Sequence, residues 1–248
     1  MIMNIKRLCA FTLAETLVVM GIIGVVAALT IPNLNQSTGD REKVAKVKKI
    51  YSNLCDAFGR ATAVYGPIDT WQFSGSPSVA SNMIGERITE FLKMSKNWEL
   101  NKGQCCFASG KSKTLDDGEY IDMDNAGLAG DVYRIITADG TSMLFSRYDP
   151  TVYVDIDGPN KGSNTWGKDL FSFDIDIDNN AIIPTRETAG FSKDGPGTFE
   201  ALQDGCFKKG RACAGLIIET GNMDYLKADR DGECPNGTQL SWDNTSCK

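Results

Sequence analysis

Phe11-Thr-Leu-Ala-Glu15-Thr-Leu-Val-Val-Met20-Gly-Ile-Ile-Gly-Val25-Val-Ala-Ala-Leu-Thr30-Ile-Pro32 is the stretch from which the rest of the chain is best read. Lys6 and Arg7 precede it, and from Thr16 to Gly39 there is no charged side chain. From Phe11 to Leu34, at about 1.5 Å per helical residue, the run reaches roughly the thickness of a bilayer core. Basic residues ahead of an apolar span hold that end in the cytoplasm, so the segment predicts one insertion with everything after about Asn35 on the far side. Two ordinary readings fit the hydropathy: a secretory signal peptide, with Ala27-Ala28 as small residues for cleavage, and a plain signal anchor. Neither accounts for Glu15. A carboxylate in such a span costs about 2.5–3.5 kcal/mol on insertion scales and needs a cationic partner. The span itself holds no Lys or Arg to provide one.

Composition narrows the chemistry. The chain has 248 residues, with 26 Lys+Arg against 32 Asp+Glu and a net charge of −6. Its hydrophobic content of 42% and charged content of 23% are those of a globular protein able to bury a core. An acidic balance offers no cationic surface for nucleic acid. The absence of His excludes Ser-His-Asp and Cys-His hydrolases, HExxH proteases and His-ligated zinc.

Ala10-Phe11-Thr12-Leu13-Ala14-Glu15 followed by the apolar run resembles the cleavage and methylation signature of type IV prepilins and type II secretion pseudopilins. In that family a basic leader is removed ahead of the apolar segment and the new amino terminus is N-methylated. The resemblance implies a cut between Ala10 and Phe11, methylation of Phe11, and an assembly role for Glu15. Pro32 falls where the family kinks its long helix. Ala10 departs from the usual glycine before the cut but is also small. Cleavage would leave an ammonium on Phe11, able to neutralise Glu15 in a medium where an unpaired carboxylate is costly. Between neighbouring subunits that pair would set axial register, and a heterologous contact that does not close generates a helical filament. The alternative reading, compatible with the filament role, is that Glu15 snorkels to the cytoplasmic interface in the monomer.

Beyond Pro32, Val44, Val47, Tyr51, Leu54, Phe58, Ala61 and Tyr65 recur at three- and four-residue spacing, with Glu42, Lys46, Lys49, Asp56 and Arg60 on another stripe. This predicts one bent helix from Phe11 to about Val64, stopped at Tyr65-Gly66-Pro67. Lys46, Lys48 and Lys49 read as solvated charges in preference to a lipid-binding patch. Ile84, Ile88, Phe91, Leu92 and Trp98 suggest a second, shorter helix. Val132–Thr137 and Thr141–Arg147 around Asp139-Gly140 read as a hairpin. Thr151–Ile156, Leu170–Asp176 and Ala181–Pro184 read as further strands. The expected fold class is α+β, with the long helix on an antiparallel sheet of roughly four strands, which is also the pilin-like arrangement the resemblance implies. The expected organisation is a leader at 1–10, a membrane or filament-core helix at 11–34, an amphipathic half-helix at 35–66 and an extracytoplasmic domain at 67–248.

The loop from Asp155 to Asp169 carries Asp155, Asp157, Asn160, Asn164 and Asp169 among glycines. Such oxygens suit calcium, and some pseudopilins bind calcium in a loop of this region; an ordered turn bonding its own backbone is the alternative, and both stay open. Trp166 stands where an EF-hand would have its bidentate Glu. Asp116-Asp117, Asp122 and Asp124 read as solvated loop residues. Eight Cys point to an oxidising compartment. Without Cys9 seven are left, an odd number: Cys55, beside the apolar stripe, reads as a free buried thiol, and Cys105, Cys106, Cys206, Cys213, Cys234 and Cys247 as three bridges of open connectivity. Cys105 and Cys106 are each expected to reach a distant partner. Cys206 and Cys213 would pair only if Lys208-Lys209-Gly210 turns. No C-x-x-C pair is present, which argues against a zinc ribbon. Cys206–Leu226 reads as a short helix capped by Gly221, and also looks like pilin carboxy-terminal sequence.

The resemblance, which covers Lys6 to Pro32 in detail, implies a structural pilin or pseudopilin, not an enzyme. Its implied partners are a prepilin peptidase and methylase, identical or related subunits, and an inner-membrane assembly platform. Its implied location is a single-pass inner-membrane precursor and then a periplasmic or cell-surface filament. No cofactor other than calcium is expected. The rival is a secreted or membrane-anchored enzyme, a carboxylate-based hydrolase, which tolerates the lack of His.

Overall fold

The computed structural model describes residues 13–71, 77–99, 106–123, 132–146, 150–161, 164–185, 191–192, 195–196, 199 and 204–247; within these, the side chains of 29–37, 77–78, 96–99, 191–192, 195–196 and 204 are left undescribed. Helix α1 runs Leu13–Tyr65 and is continuous through Pro32. The chain divides into two units, one ending at Arg41 and the other beginning at Glu42.

In the first unit, α1 carries the apolar run. Leu13, Leu17, Val18, Val19, Met20, Ile22, Ile23, Val25 and Val26 are all exposed, from 53% to 79%.

The second unit opens with the amphipathic part of α1. Between Glu42 and Tyr65 there is no Pro and only Gly59 to soften the helix, and Val47, Ile50, Leu54, Ala57, Phe58 and Ala61 are buried. The stripe read from the sequence is therefore real but wider, since Ile50 and Ala57 join it and Tyr65 is exposed. The helix ends at Gly66, whose φ of +85° a side chain disfavours. Trp71 closes the turn by donating Nε1–H to the Gly66 carbonyl at 2.8 Å. This half of α1 shares one core with the sheet.

Helix α2, Pro77–Thr89, precedes ten strands among the described residues: β1 Met94–Glu99, β2 Lys111–Lys113, β3 Glu119–Asp122, β4 Val132–Thr137, β5 Ser142–Ser146, β6 Thr151–Asp155, β7 Leu170–Asp176, β8 Ala181–Pro184, β9 Phe191–Ser192 and β10 Gly195–Pro196. Six form one antiparallel sheet in the order β1-β4-β5-β6-β7-β8, while β2 pairs with β3 and β9 with β10. The sheet is wider than the four strands expected. Strand β1 is the addition that the helical spacing concealed: Phe91 and Leu92 follow α2 and Trp98 lies on β1. Alternation there is weak, and two register irregularities against β4 interrupt it.

The β4–β5 hairpin forms as expected. Gly140 has φ +82° and its N–H bonds the Thr137 carbonyl at 3.0 Å. One face of the sheet, through Tyr133, Ile135, Met143, Phe145, Val152, Val154, Phe171, Phe173 and Ile175, packs with the buried stripe of α1. Tyr51 stacks on Phe173 with centroids 5.6 Å apart. The other face is also buried: Val132, Leu144, Tyr153 and Leu170 cluster with Cys106, Phe107, Met123 and Trp166. Short strands and loop residues provide that cover, which explains why β5 and β6 are buried at every position and show no polar alternation.

Helix α3, Cys213–Thr220, ends at Gly221, whose φ of +71° and bond to the Ile217 carbonyl at 2.9 Å make the expected cap. Cys206 bonds Cys213 with Cα atoms 4.6 Å apart, and Cys234 bonds Cys247 at 5.4 Å. The first bridge depends on the turn at Gly210, φ +81°, where an added Cβ would stand 2.3 Å from the Trp166 carbonyl. Cys106 is also disulfide-bonded, to a partner outside the described residues. That partner is none of the four carboxy-terminal cysteines, which are bonded to each other, so no long bridge ties Cys106 to the tail. Cys55 is free and half-buried; burial pushes its thiol pKa up, which keeps it unreactive near neutral pH.

Helix α2 comes closest to the sheet at Gly85, where a Cβ would lie 2.1 Å from Cγ of Tyr133. Gly85→Ala is expected to destabilise the domain by about 1–3 kcal/mol through overpacking, read as a lower midpoint in denaturant unfolding. An unchanged midpoint would show that α2 shifts freely on β4.

Candidate functional site

Two regions hold the residues that the sequence singled out. The first is the start of α1. Ala10 and Phe11, the expected cleavage and methylation positions, lie outside the described residues. Glu15 sits exposed close to where the description of α1 begins. Pro32 is within the helix. Among the described residues no helix is long and apolar enough to cross a membrane; the described side chains of the apolar run stop at Ala28 and resume at Thr38.

The second region is the loop between β6 and β7. Asp155 ends β6 and is 1% exposed. Its Oδ1 accepts the N–H groups of Asp157 at 2.9 Å and Gly158 at 3.1 Å, a turn closed by its own first residue. Oδ2 is buried with no hydrogen-bond partner, facing the same side as Ser142, its register partner on β5. At the far end of the loop Asp169, 8% exposed, accepts the Thr165 N–H. Burial is the main force that pushes Asp155 up to about 7, and the neighbouring Asp169 and Asp157 charges add to it while the two N–H bonds oppose it. Burial likewise pushes Asp169 up to about 6, against the Thr165 N–H and the Lys43 ammonium.

The structure thus brings Asp155, Asp157 and Asp169 within electrostatic reach of one another. Of the two asparagines, Asn164 keeps a buried Oδ1 without a hydrogen-bond partner. Asn160 is exposed in the following turn, and Asn164 is 3% exposed with its Nδ2 donating to the Ala108 carbonyl at 2.9 Å. Among the described residues no group of three or more Cys, Asp and Glu is disposed to hold a metal ion. One oxygen of Asp155 and one of Asp169 accept backbone N–H groups, while Asp155 Oδ2 is buried without a hydrogen-bond partner.

Reading the sequence missed what lies against this loop. Lys43 Nζ donates to the Lys168 carbonyl at 3.0 Å, and Lys46 Nζ donates to the Ile156 carbonyl. One turn further, Lys49 pairs with Asp139 at 3.0 Å. Hydrogen bonds from Thr137, Lys49 and Thr141 overcome the cost of burial and hold Asp139 at about 2. The spacing Lys43, Lys46, Lys49 was the available signal, since steps of three keep side chains on neighbouring positions of a helix.

Other carboxylates serve the fold. In a cleft of about 630 Å³ beside β7, Asp174 accepts the Thr151 and Thr185 hydroxyls at 3.1 and 2.9 Å, and Asp176 holds Asn179. Asp116 accepts the Thr114 hydroxyl within the β2–β3 turn, and Asp124 lies outside the described residues. Against known proteins, no family model, no curated protein and no solved structure matches the chain.

The raised carboxyl groups set a pH dependence. With folded values above the ordinary carboxylate value of 3.8, folding takes up protons between about pH 4 and pH 7. Their contribution favours the folded chain at the acid end and is lost as pH rises through that window. Asp155→Asn keeps an acceptor for the two N–H groups, so it should stabilise the chain at pH 8 by about 1–3 kcal/mol and flatten the pH profile of Tm. An equally steep profile in the variant would remove Asp155 from this role.

Proposed function

We propose that this chain is a structural subunit, pilin or pseudopilin, of a type IV pilus or type II secretion-type filament, and that it performs no catalysis. The observation that carries the reading is the amino-terminal part of α1, where nine large apolar side chains from Leu13 to Val26 are exposed along one helix. Each is worth about 1.5–3 kcal/mol when taken out of water, so this surface demands an apolar environment. A membrane meets that demand before assembly, and packed copies of the same helix meet it afterwards. The leader, Phe11 and Glu15 then have the roles implied by the signature they resemble, with a prepilin peptidase, further subunits and an assembly platform as partners.

The remaining architecture suits such a subunit. The α+β domain, an amphipathic helix on an antiparallel sheet with a disulfide-stapled carboxy-terminal region, is the pilin-like arrangement. Its bridges suit assembly outside the cytoplasm. The proposed locations are the inner membrane and then a periplasmic or surface filament.

Mass spectrometry of the polypeptide purified from a host that carries the peptidase tests the reading. The expected amino terminus is N-methyl-phenylalanine at Phe11. Processing beside Ala28, or an intact Met1, would reject it. Glu15→Ala is expected to insert normally and to lower filament yield at least tenfold in shear-fraction immunoblots; wild-type yield would remove the register role.

A further inference from the structure

The loop between β6 and β7 stands where the resemblance implies calcium, yet several of its oxygens are already engaged by the chain itself. Asp155 Oδ1 is held by two backbone N–H groups and Asp169 Oδ1 by a third. The Asn164 amide is turned to Ala108. Two main-chain carbonyls of the loop, at Ile156 and Lys168, are of the kind calcium recruits, and each accepts an ammonium from α1 instead. Asp155 Oδ2 is the one buried carboxylate oxygen without a hydrogen bond among the described residues. With Asn164 Oδ1, also buried without a hydrogen-bond partner, that makes two such oxygens, well short of the six to eight that calcium takes.

We propose that Lys43 and Lys46 do for this loop what a bound metal would do: they are built-in cations that gather its carbonyls and lock the loop, and with it the β6–β7 end of the sheet, to α1. The two residues are three apart, so both ammonium groups face the same side of the helix. Their targets lie at the two ends of the loop, Ile156 just after β6 and Lys168 just before β7. One helix face therefore closes both ends. Lys43 also interacts electrostatically with Asp169, which sets a positive charge beside that carboxylate. Hydrogen bonds from a charged donor are stronger than neutral ones, and both lysines are only partly exposed, which limits screening. They are positioning residues: they fix the loop without touching any ligand. The inference is independent of the filament reading and would hold for any role of the domain.

The test uses the full chain in detergent micelles, with two measurements. In the first, Tm is recorded with saturating calcium chloride and with EDTA, and calcium is titrated calorimetrically. Equal melting temperatures and no binding heat are expected. A calcium-dependent rise in Tm, or stoichiometric heat, would overturn the proposal. In the second, Lys46→Met keeps the apolar stem and its length but removes the donor. It should lower Tm by about 3–10 °C and speed amide exchange at Gly158 and Asp169. A variant that melts with the wild type and exchanges at the same rate would show that the ammonium holds nothing.

Discussion

Val47, Ile50, Leu54, Ala57, Phe58 and Ala61 lie buried in the same cluster as the apolar face of a six-stranded sheet, and that contact organises the second unit. It gives the helix a reason to continue beyond the apolar run, since a segment of mixed polarity is stable as a helix mainly when its apolar stripe is covered. It also sets which strand residues are core. Tyr51 stacks on Phe173, and its hydroxyl, pushed up to about 12 chiefly by burial, donates to the Ile182 carbonyl at 3.3 Å. Helix and sheet are thus joined by polar as well as apolar contacts.

The polar contacts have a pattern of their own. Lys43, Lys46 and Lys49 reach three different points at one end of the sheet: Lys168, Ile156 and Asp139. Apolar burial is non-directional and leaves a helix free to slide or rotate by small amounts. Fixed donors meeting fixed acceptors remove that freedom. An acidic loop that must be held down and a basic stripe on the adjoining helix are complementary parts of one device.

What was legible depended on how local each signal is. Asp139-Gly140 between two β-rich runs announced its hairpin, because the positive φ the turn needs falls on one residue, Gly140. Gly221 ended α3 and Gly210 permitted the Cys206–Cys213 bridge for the same reason. Trp98 misled because an apolar residue near Phe91 and Leu92 extends a helical spacing as readily as it begins an irregular strand. The second buried face of the sheet left no trace in β5 or β6 that named its cover. Cys106, Phe107, Met123 and Trp166 come from three separate stretches, and nothing local joins them. Lys46 read as a solvated charge for a similar reason: its acceptor is a main-chain carbonyl 110 residues away.

The amino-acid order alone established the charge-free apolar run, the acid set near its head, the helical period that follows, most strand positions and the chemistry that a chain without His must forgo. These are properties of residues near one another, where spacing maps directly onto geometry. Only the folded chain determined that the sheet has six strands and two buried faces, that Asp155 and Asp169 each turn one oxygen to the loop's own backbone, and that two lysines reach its ends. Those outcomes belong to long-range pairing, in which the partner of each group is selected by packing and has no fixed distance along the polymer.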